Sequence, residues 1–467
     1  MNGIIALLIG IALLLFLVVK TKIQAFPALI VTAITIGLLA GLPALDTISA
    51  VTAGFGNTLS SIGIVIGFGC IMGNFLEKSG AAKKMALSIL RIVGVKRADI
   101  VLGLSGFLVS IPVFCDSGYV ILSELAKEFS RMTKKSMVGL GGILGMGLYI
   151  THFLVPPTPG PLAVAGTLGI DLGLFIIAGL LLSIPLFMFS VPLFRWFGKK
   201  YPDLVPEQNM DRSKYSAEQL EVIDRINEKS NRGEELTSDD FEQLMVTEKL
   251  PSAFASYATI AVPILLIFAN TFAKIIGIEG TAVQVIGLLG SPVVALFISV
   301  LISVYVLSSN LGTEDARKVM ELSLADAGLI VFVTGAGGAL GNVIKVTNIG
   351  QIMAEGILSM NMPVILVPLL IGTLMRFPQG SGTTAMITGS AIIAPMISTL
   401  GIHPLMAGLA ICLTAMCPSY LNDSYFWVVT NFSGMGLKTS LKTWSVATIL
   451  VPLFGSVILI ITNALLF

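Results

Sequence analysis

Charge is what this sequence has least of. Asp, Glu, Lys and Arg together make up 12% of its 467 residues, about half the share that a soluble globular chain carries, so the chain is not a soluble protein. The charges that remain almost cancel, 28 basic against 27 acidic, and that balance gives no hint of a nucleic-acid partner. Cysteine is scarce too: Cys70, Cys115, Cys412 and Cys417 all lie within apolar segments without metal-type spacing. That argues against a disulfide framework and against a metal site, and no cofactor is expected. The first 19 residues lack any charge and run straight into Lys20. A signal peptide opens on basic residues and ends at a small-residue cleavage site, so this stretch is expected to remain as a first membrane helix.

What fills the chain instead is apolar sequence. Hydrophobic residues make up 55% and the mean hydropathy is +0.93. Runs close to the roughly 20 residues that cross a hydrocarbon core as a helix recur from Gly3 to Phe467. The expected class is an all-α polytopic membrane protein. One stretch, 198–252, is dense in charge and must lie in water; it divides the chain into halves 1–197 and 253–467. Within it, 216–229 and 238–249 have the pattern of short amphipathic helices, and the stretch serves either as a solvated linker or as a regulatory module.

The halves share a repeat. GFGCIMGNFLEKSGAAKKMA starts at Gly67 and GAGGALGNVIKVTNIGQIMA at Gly335, with Gly69/Gly337, Gly73/Gly341, Asn74/Asn342, Met85/Met353 and Ala86/Ala354 in common. Each copy is followed, in the same order, by two helix-breaking stretches inside apolar sequence: SIPVFCDSGY (110–119) and LVPPTPGP (154–161), then RFPQGSGTT (376–384) and CPSYLNDS (417–424). Faint internal symmetry of this kind is a mark of carriers built from two related halves.

Lysine and arginine set the topology, because short cytoplasmic loops are enriched in them. Lys20 and Lys22 place the end of the first helix inside and the N-terminus outside. Segment 26–41 returns outward and 59–76 comes back in. Arg97 on one flank of 100–125, and Lys127, Arg131, Lys134 and Lys135 on the other, want the same side. That stretch therefore reads as a re-entrant hairpin opening to the cytoplasm, with its tip at 112–117. Segment 137–170 goes out through a break, and 172–194 comes in to the charged cytoplasmic loop. In the second half, 254–272, 283–307 and 324–344 are spans, 363–398 is a hairpin opening outward with its tip at 378–384, 405–430 is a broken span, and 444–465 leaves, so the C-terminus is also outside. The expectation is two inverted repeats, each with five membrane-spanning helices and one re-entrant hairpin, and two of the ten spans broken.

Opposed hairpin tips and interrupted helices give free helix N-termini for anionic groups, and unwound carbonyls and hydroxyls for a cation or a proton-bearing partner. The candidate substrate-binding residues are Asp116 and Ser117 at the inner tip; His152 and Thr158 at the first break; Arg376, Gln379, Ser381, Gly382, Thr383 and Thr384 at the outer tip; and Asn422, Asp423 and Ser424 at the second break. Ionisable groups at membrane depth default to function, so Asp116, Asp423 and His152 are the proton-coupling candidates. Asp116 and Asp423, each followed by Ser at a break, could instead cap a half-helix. Arg376 either meets a substrate carboxylate or forms an internal ion pair with Asp116 or Asp423, and His152 either titrates or is merely packed. Cys115, Asp116 and His152 could be imagined as an intramembrane hydrolase, but inverted halves have no use in such an enzyme.

At these same residues the chain resembles the gluconate permease family of the ion transporter superfamily, most specifically in HFLVPPTPGP from His152, GAGGALGNVI from Gly335, PQGSGTTAMIT from Pro378 and NDSYFW from Asn422. The resemblance covers nearly the whole chain. It implies proton-coupled uptake of gluconate or a related sugar acid or small hydroxy acid, with other members handling D-serine, in a bacterial inner membrane. It further implies a homodimer working by an elevator-type mechanism. The chain departs from the family's gluconate carriers in having Cys115 and Asp116 where they have a larger Phe-Glu pair, and Gly382, Thr383 and Thr384 where they have Ala-Thr-Val. A D-serine or other zwitterion carrier, or a sodium-coupled carboxylate symporter, are the alternatives.

Overall fold

The computed structural model describes residues 3–206, 217–232, 234, 237–245, 250–276, 281–359 and 362–466, and its regular structure is helical throughout. The first half holds α1 (Gly3–Leu15), α2 (Ala25–Ala40), α3 (Ala44–Lys78), α4 (Ala81–Val93), α5 (Ala98–Val109), α6 (Cys115–Thr133), α7 (Met137–Leu154), α8 (Pro159–Leu168) and α9 (Leu172–Lys200). The charged stretch contributes α10 (Ala217–Asn231) and α11 (Ser238–Met245). Then follow α12 (Ala253–Ile276), α13 (Thr281–Leu289), α14 (Pro292–Tyr305), α15 (Thr313–Val346), α16 (Ile349–Leu358), α17 (Leu366–Gln379), α18 (Gly382–Ile393), α19 (Ile397–Leu400), α20 (Pro404–Thr414), α21 (Ser424–Phe432), α22 (Leu437–Lys442) and α23 (Trp444–Leu466). Seven helical stretches among the described residues are long and apolar enough to cross a membrane, and the pair α13–α14, bent by 58°, makes an eighth.

Three of the expected spans come out differently. Segments 59–76 and 324–344 are the apolar parts of much longer helices, α3 and α15, of 35 and 34 residues. At 1.5 Å per residue each runs about 50 Å, well beyond a hydrocarbon core of about 30 Å, so their polar first turns project past the lipid while remaining helical. The expected single span 283–307 is broken at Gly290–Ser291. Pro292 opens α14 without an N–H to donate, and the residue before it is held extended, Ser291 having ψ 137°, as the clash with a proline ring demands.

α3 and α15 pack along one another more extensively than any other helix pair described. Glycine makes the approach possible: a Cβ on Gly54 would sit 2.6 Å from the Gly338 carbonyl oxygen. One asparagine from each helix then ties the crossing, with Asn342 Nδ2 donating to the Ala50 carbonyl at 2.8 Å and Asn74 Nδ2 donating to Asp326 at 2.9 Å. Such bonds contribute on the order of 1 kcal/mol each between membrane helices. Three more glycines of the two motifs admit the first break and the two hairpins. A Cβ on Gly69 would lie 3.1 Å from the Pro157 carbonyl, one on Gly73 would press on the Pro112 carbonyl, and one on Gly341 would reach the Ala391 carbonyl at 3.0 Å.

Outside the lipid zone, Asp171 caps α9 by accepting from Leu174 N at 3.1 Å, and takes Thr271 Oγ1 at 3.0 Å and Lys274 at 3.3 Å from α12. Partial burial pushes its carboxyl up, but these donors outweigh burial and hold it below the usual carboxylate range. The expected amphipathic pair in 198–252 forms as α10 and α11, joined by Lys229 and Asp240 at 2.9 Å. α11 lies on α4.

Candidate functional site

α5 and α6 form the first hairpin, turning through 110–114, and α17 and α18 form the second, turning at Gly380 and Ser381. The span that follows each is interrupted: α7 and α8 at 155–158, and α20 and α21 at 415–423. Each interruption contains a cis proline, Pro157 and Pro418 respectively.

Arg376, on the last turn of α17, is wholly buried; both terminal nitrogens of its guanidinium meet protein partners, while its Nε has none. Nη2 donates to Asp423 Oδ2 at 2.6 Å and to Tyr149 Oη at 3.0 Å, and Nη1 donates to the Gly380 carbonyl. Asp423 caps α21 by accepting from Tyr425 N at 3.2 Å, and also accepts from Ser419 Oγ at 2.5 Å. Trp444 Nε1 then donates to Ser419 Oγ at 2.8 Å. Tyr149 is stacked on Tyr425 with ring centres 5.3 Å apart. The second hairpin, the second break, α7 and α23 are thus joined by one buried polar network. A buried charge survives only when paired and hydrogen-bonded.

The first hairpin comes within electrostatic reach of the same network. Asp116, in the first turn of α6, lies beside Cys115, whose Sγ donates to it at 3.5 Å, and within electrostatic reach of Asp423. Asp116 and Ser117 also line a cavity of about 540 Å³ with Asn74, Glu77, Leu322 and Asp326. Glu77 there is paired with Lys78 at 2.9 Å. A second cavity, of about 450 Å³, is bounded by Asn57, Thr58, Ser61, Thr167, Asn342 and Lys345. Both open along the seam between the α3–α15 pair and the hairpin-bearing helices.

At the first break, Thr158 Oγ1 donates to the carbonyls of His152 and Val155 at 2.9 and 2.8 Å, so this hydroxyl satisfies backbone freed by the interruption. His152 is buried against Phe114 and Phe153, and its Nδ1 has no hydrogen-bond partner. At the outer tip, Ser381 caps α18, accepting from Thr384 N at 3.3 Å and from Thr384 Oγ1 at 3.0 Å. Gly382 is seated against the Phe153 ring, where a Cβ has no room. Gly380, at φ 72°, abuts the Asn422 backbone, while Asn422 Nδ2 donates to the Phe377 carbonyl at 2.9 Å. Both side-chain polar atoms of Gln379 are buried without partners.

The sequence-derived candidates therefore fall into two groups. Arg376 and Asp423 belong to one network with Asp116 within electrostatic reach of it, and Gln379 and Gly382 border it through the second hairpin tip and Phe153. Ser381, Asn422 and Ser424 are exposed, Thr383 and Thr384 half-exposed, and Thr158 works on backbone. Three residues that sequence reasoning left out belong beside them. Asp326 lies inside the expected span 324–344 and accepts from Asn74 Nδ2, a charge at membrane depth that was legible in the sequence. Tyr149 and Trp444 carried no signal, since an aromatic in an apolar run reads as packing until its hydrogen bond is seen.

Comparison with known proteins gives the family of the chain. An uncharacterized permease of Haemophilus influenzae is 38% identical over 98% of this chain and 92% of its own length. The D-serine transporter DsdX of Escherichia coli is 31% identical over 95% of this chain and 94% of its own, and a gluconate permease of Pseudomonas aeruginosa is 29% identical over 97% and 96%. The crystal structure of the Alcanivorax borkumensis YdaH transporter matches with a TM-score of 0.66 at 14% identity, covering 94% of this chain and 98% of that one, a likeness of fold. The family model described as GntP family permease matches residues 2–465. A multi-pass helical membrane protein with these relatives is a transporter and not an enzyme, and this chain belongs to the GntP family of permeases.

Proposed function

We propose that the protein is a secondary active transporter that takes up gluconate or a related small hydroxy acid together with protons, and that Asp116 is the group that carries the proton. The observation that carries this reading is the position of Asp423 between the hairpins: Arg376 of the second one holds it at 2.6 Å, and Asp116 of the first one lies within electrostatic reach of it. With Asp423 already neutralised, Asp116 is the acid left over at the junction, and it lines a cavity large enough for a sugar acid. A second negative charge entering that low-dielectric space is repelled by an ionised Asp116. Proton loading of Asp116 removes the repulsion, so anion and proton travel together. The buried Nδ1 of His152, the amide of Gln379 and the Nε of Arg376, all without protein partners, are groups left to meet a polar substrate.

Two inverted halves, 1–197 and 253–467 joined by a cytoplasmic 198–252, supply the alternating access. Gly67 and Gly335 set an offset that recurs in the helix starts Ala98 and Leu366. It recurs again in the cavities: Leu322, Asp326, Leu329, Asn74 and Glu77 line one, and their repeat counterparts Gly54, Thr58, Ser61, Asn342 and Lys345 line the other. Two equivalent vestibules along one seam suit an elevator, in which the hairpins and broken helices move as a body against the α3–α15 pair in a homodimer. A D-serine cargo is the second reading. It is favoured by the full neutralisation of Arg376, which leaves Asp116 to meet an ammonium, and by the D-serine transporter among the relatives.

The test is uptake by proteoliposomes free of sodium under an acid-outside gradient. Labelled gluconate, glycerate or D-serine should accumulate, the outside should turn alkaline with substrate, and a protonophore should abolish both. Asp116→Asn should lose accumulation at least tenfold while retaining counterflow of preloaded substrate. Accumulation that needs sodium, or an Asp116→Asn protein still driven by pH, overturns the proton assignment.

A further inference from the structure

A third cavity, of about 440 Å³, lies away from the hairpin tips, where the open end of the first hairpin meets the start of α7 and the end of α9. Its rim is basic: Lys96, Arg97, Lys134, Lys135, Arg195 and Lys199 line it, and all six are exposed. Asp99 is the acid among its lining residues, and it is already bonded to Arg195. Its floor is apolar, made by Leu140 and Ile143 of α7 and Val191 and Phe194 of α9. Next to it Trp196 stands more than half exposed, with Lys200 Nζ 4.9 Å from its ring centre. Exposed Trp beside Lys at the end of a long apolar helix marks the headgroup level of a bilayer.

Like charges gathered this closely repel one another unless an anion sits among them. A small soluble anion would satisfy the rim and leave the floor unused. A ligand with a negative head and a hydrocarbon tail uses both, and at this depth the bilayer supplies it. We propose that the cleft is a binding site for an anionic phospholipid, its phosphate held by the rim, chiefly Lys134, Lys135 and Lys199, and one acyl chain laid along Leu140, Ile143, Val191 and Phe194. Because the rim draws on the start of α5, the end of α6 and the end of α9, the bound lipid braces the open end of the inner hairpin against α9.

Native mass spectrometry of the full-length protein in detergent, offered phosphatidylglycerol and phosphatidylcholine together, tests this. Phosphatidylglycerol should be retained at least tenfold more often, and inorganic phosphate at millimolar concentration should fail to displace it. Lys134→Gln/Lys135→Gln/Lys199→Gln should lose the preference, whereas Lys438→Gln/Lys442→Gln, which removes exposed charge elsewhere, should keep it. Equal retention of the two lipids, displacement by phosphate alone, or an unchanged preference in the triple variant overturns the site. Should the triple variant fail to fold, the wild type decides: its melting temperature should rise in micelles containing phosphatidylglycerol and not in those containing phosphatidylcholine, and equal melting in both overturns the proposal.

Discussion

An arginine wholly out of solvent must find its countercharge inside the protein, and Arg376 finds it in Asp423, 47 positions along the chain. Desolvating both groups offsets much of their attraction, so the pair adds little net stability as a whole, yet removing one member leaves an unpaired buried charge and costs about 3–5 kcal/mol. Asp423→Asn, which keeps an oxygen for the Tyr425 N–H, should therefore lower thermal stability by that order. Arg376→Met added to it should restore most of the loss. If instead the two changes add, the residues do not act as a unit. The identity of this partner was not legible in the sequence. Arg376 stood out because charge at membrane depth is costly, and both Asp116 and Asp423 were open to it, but only three-dimensional packing decides between two acids on different helices.

Elements were more legible than pairings, because breaks in a membrane helix are written in proline and glycine. PVFCD, PPTPGP, PQGSG and CPSYLND each coincide with a turn or interruption, and Pro292 bends α13 against α14 by the same rule that was applied elsewhere and missed there. Helix length was less legible. α3 and α15 continue through polar residues that hydropathy places in loops, since a helix leaving the lipid need not end there. The turn at Gly380 gives a test at this scale. Its φ of 72° suits glycine, and a Cβ there would also strike the Asn422 carbonyl; Gly434 has nearly the same φ, 70°, with open space around it. Gly434→Ala should cost about 1–2 kcal/mol through backbone conformation alone. Gly380→Ala should cost more and should also cut uptake at least tenfold, because the outer tip has to shift. Equal effects of the two changes in stability and transport would mean that the contact with Asn422 does not position the tip.

For the whole molecule, the question is whether the two cavities face opposite compartments, since alternating access has no meaning if they do not. Ser61 lines one and Leu329 the other, at equivalent places in the repeat. The proposed topology puts Ser61 near the outer surface and Leu329 near the cytoplasm, on the expectation that α3 runs inward to Lys78, Lys83 and Lys84 and α15 outward from Arg317 and Lys318. With Cys70, Cys115, Cys412 and Cys417 replaced, Ser61→Cys should react with a membrane-impermeant thiol reagent added to intact cells, and Leu329→Cys should react only in inverted vesicles. Substrate should slow both reactions at least severalfold if, as proposed, a loaded transport body moves along the seam that both cavities border. Labelling of both positions from one side would refute the inversion of the halves and, with it, the elevator. Labelling from opposite sides but indifferent to substrate would keep the inversion and confine motion to the hairpin tips.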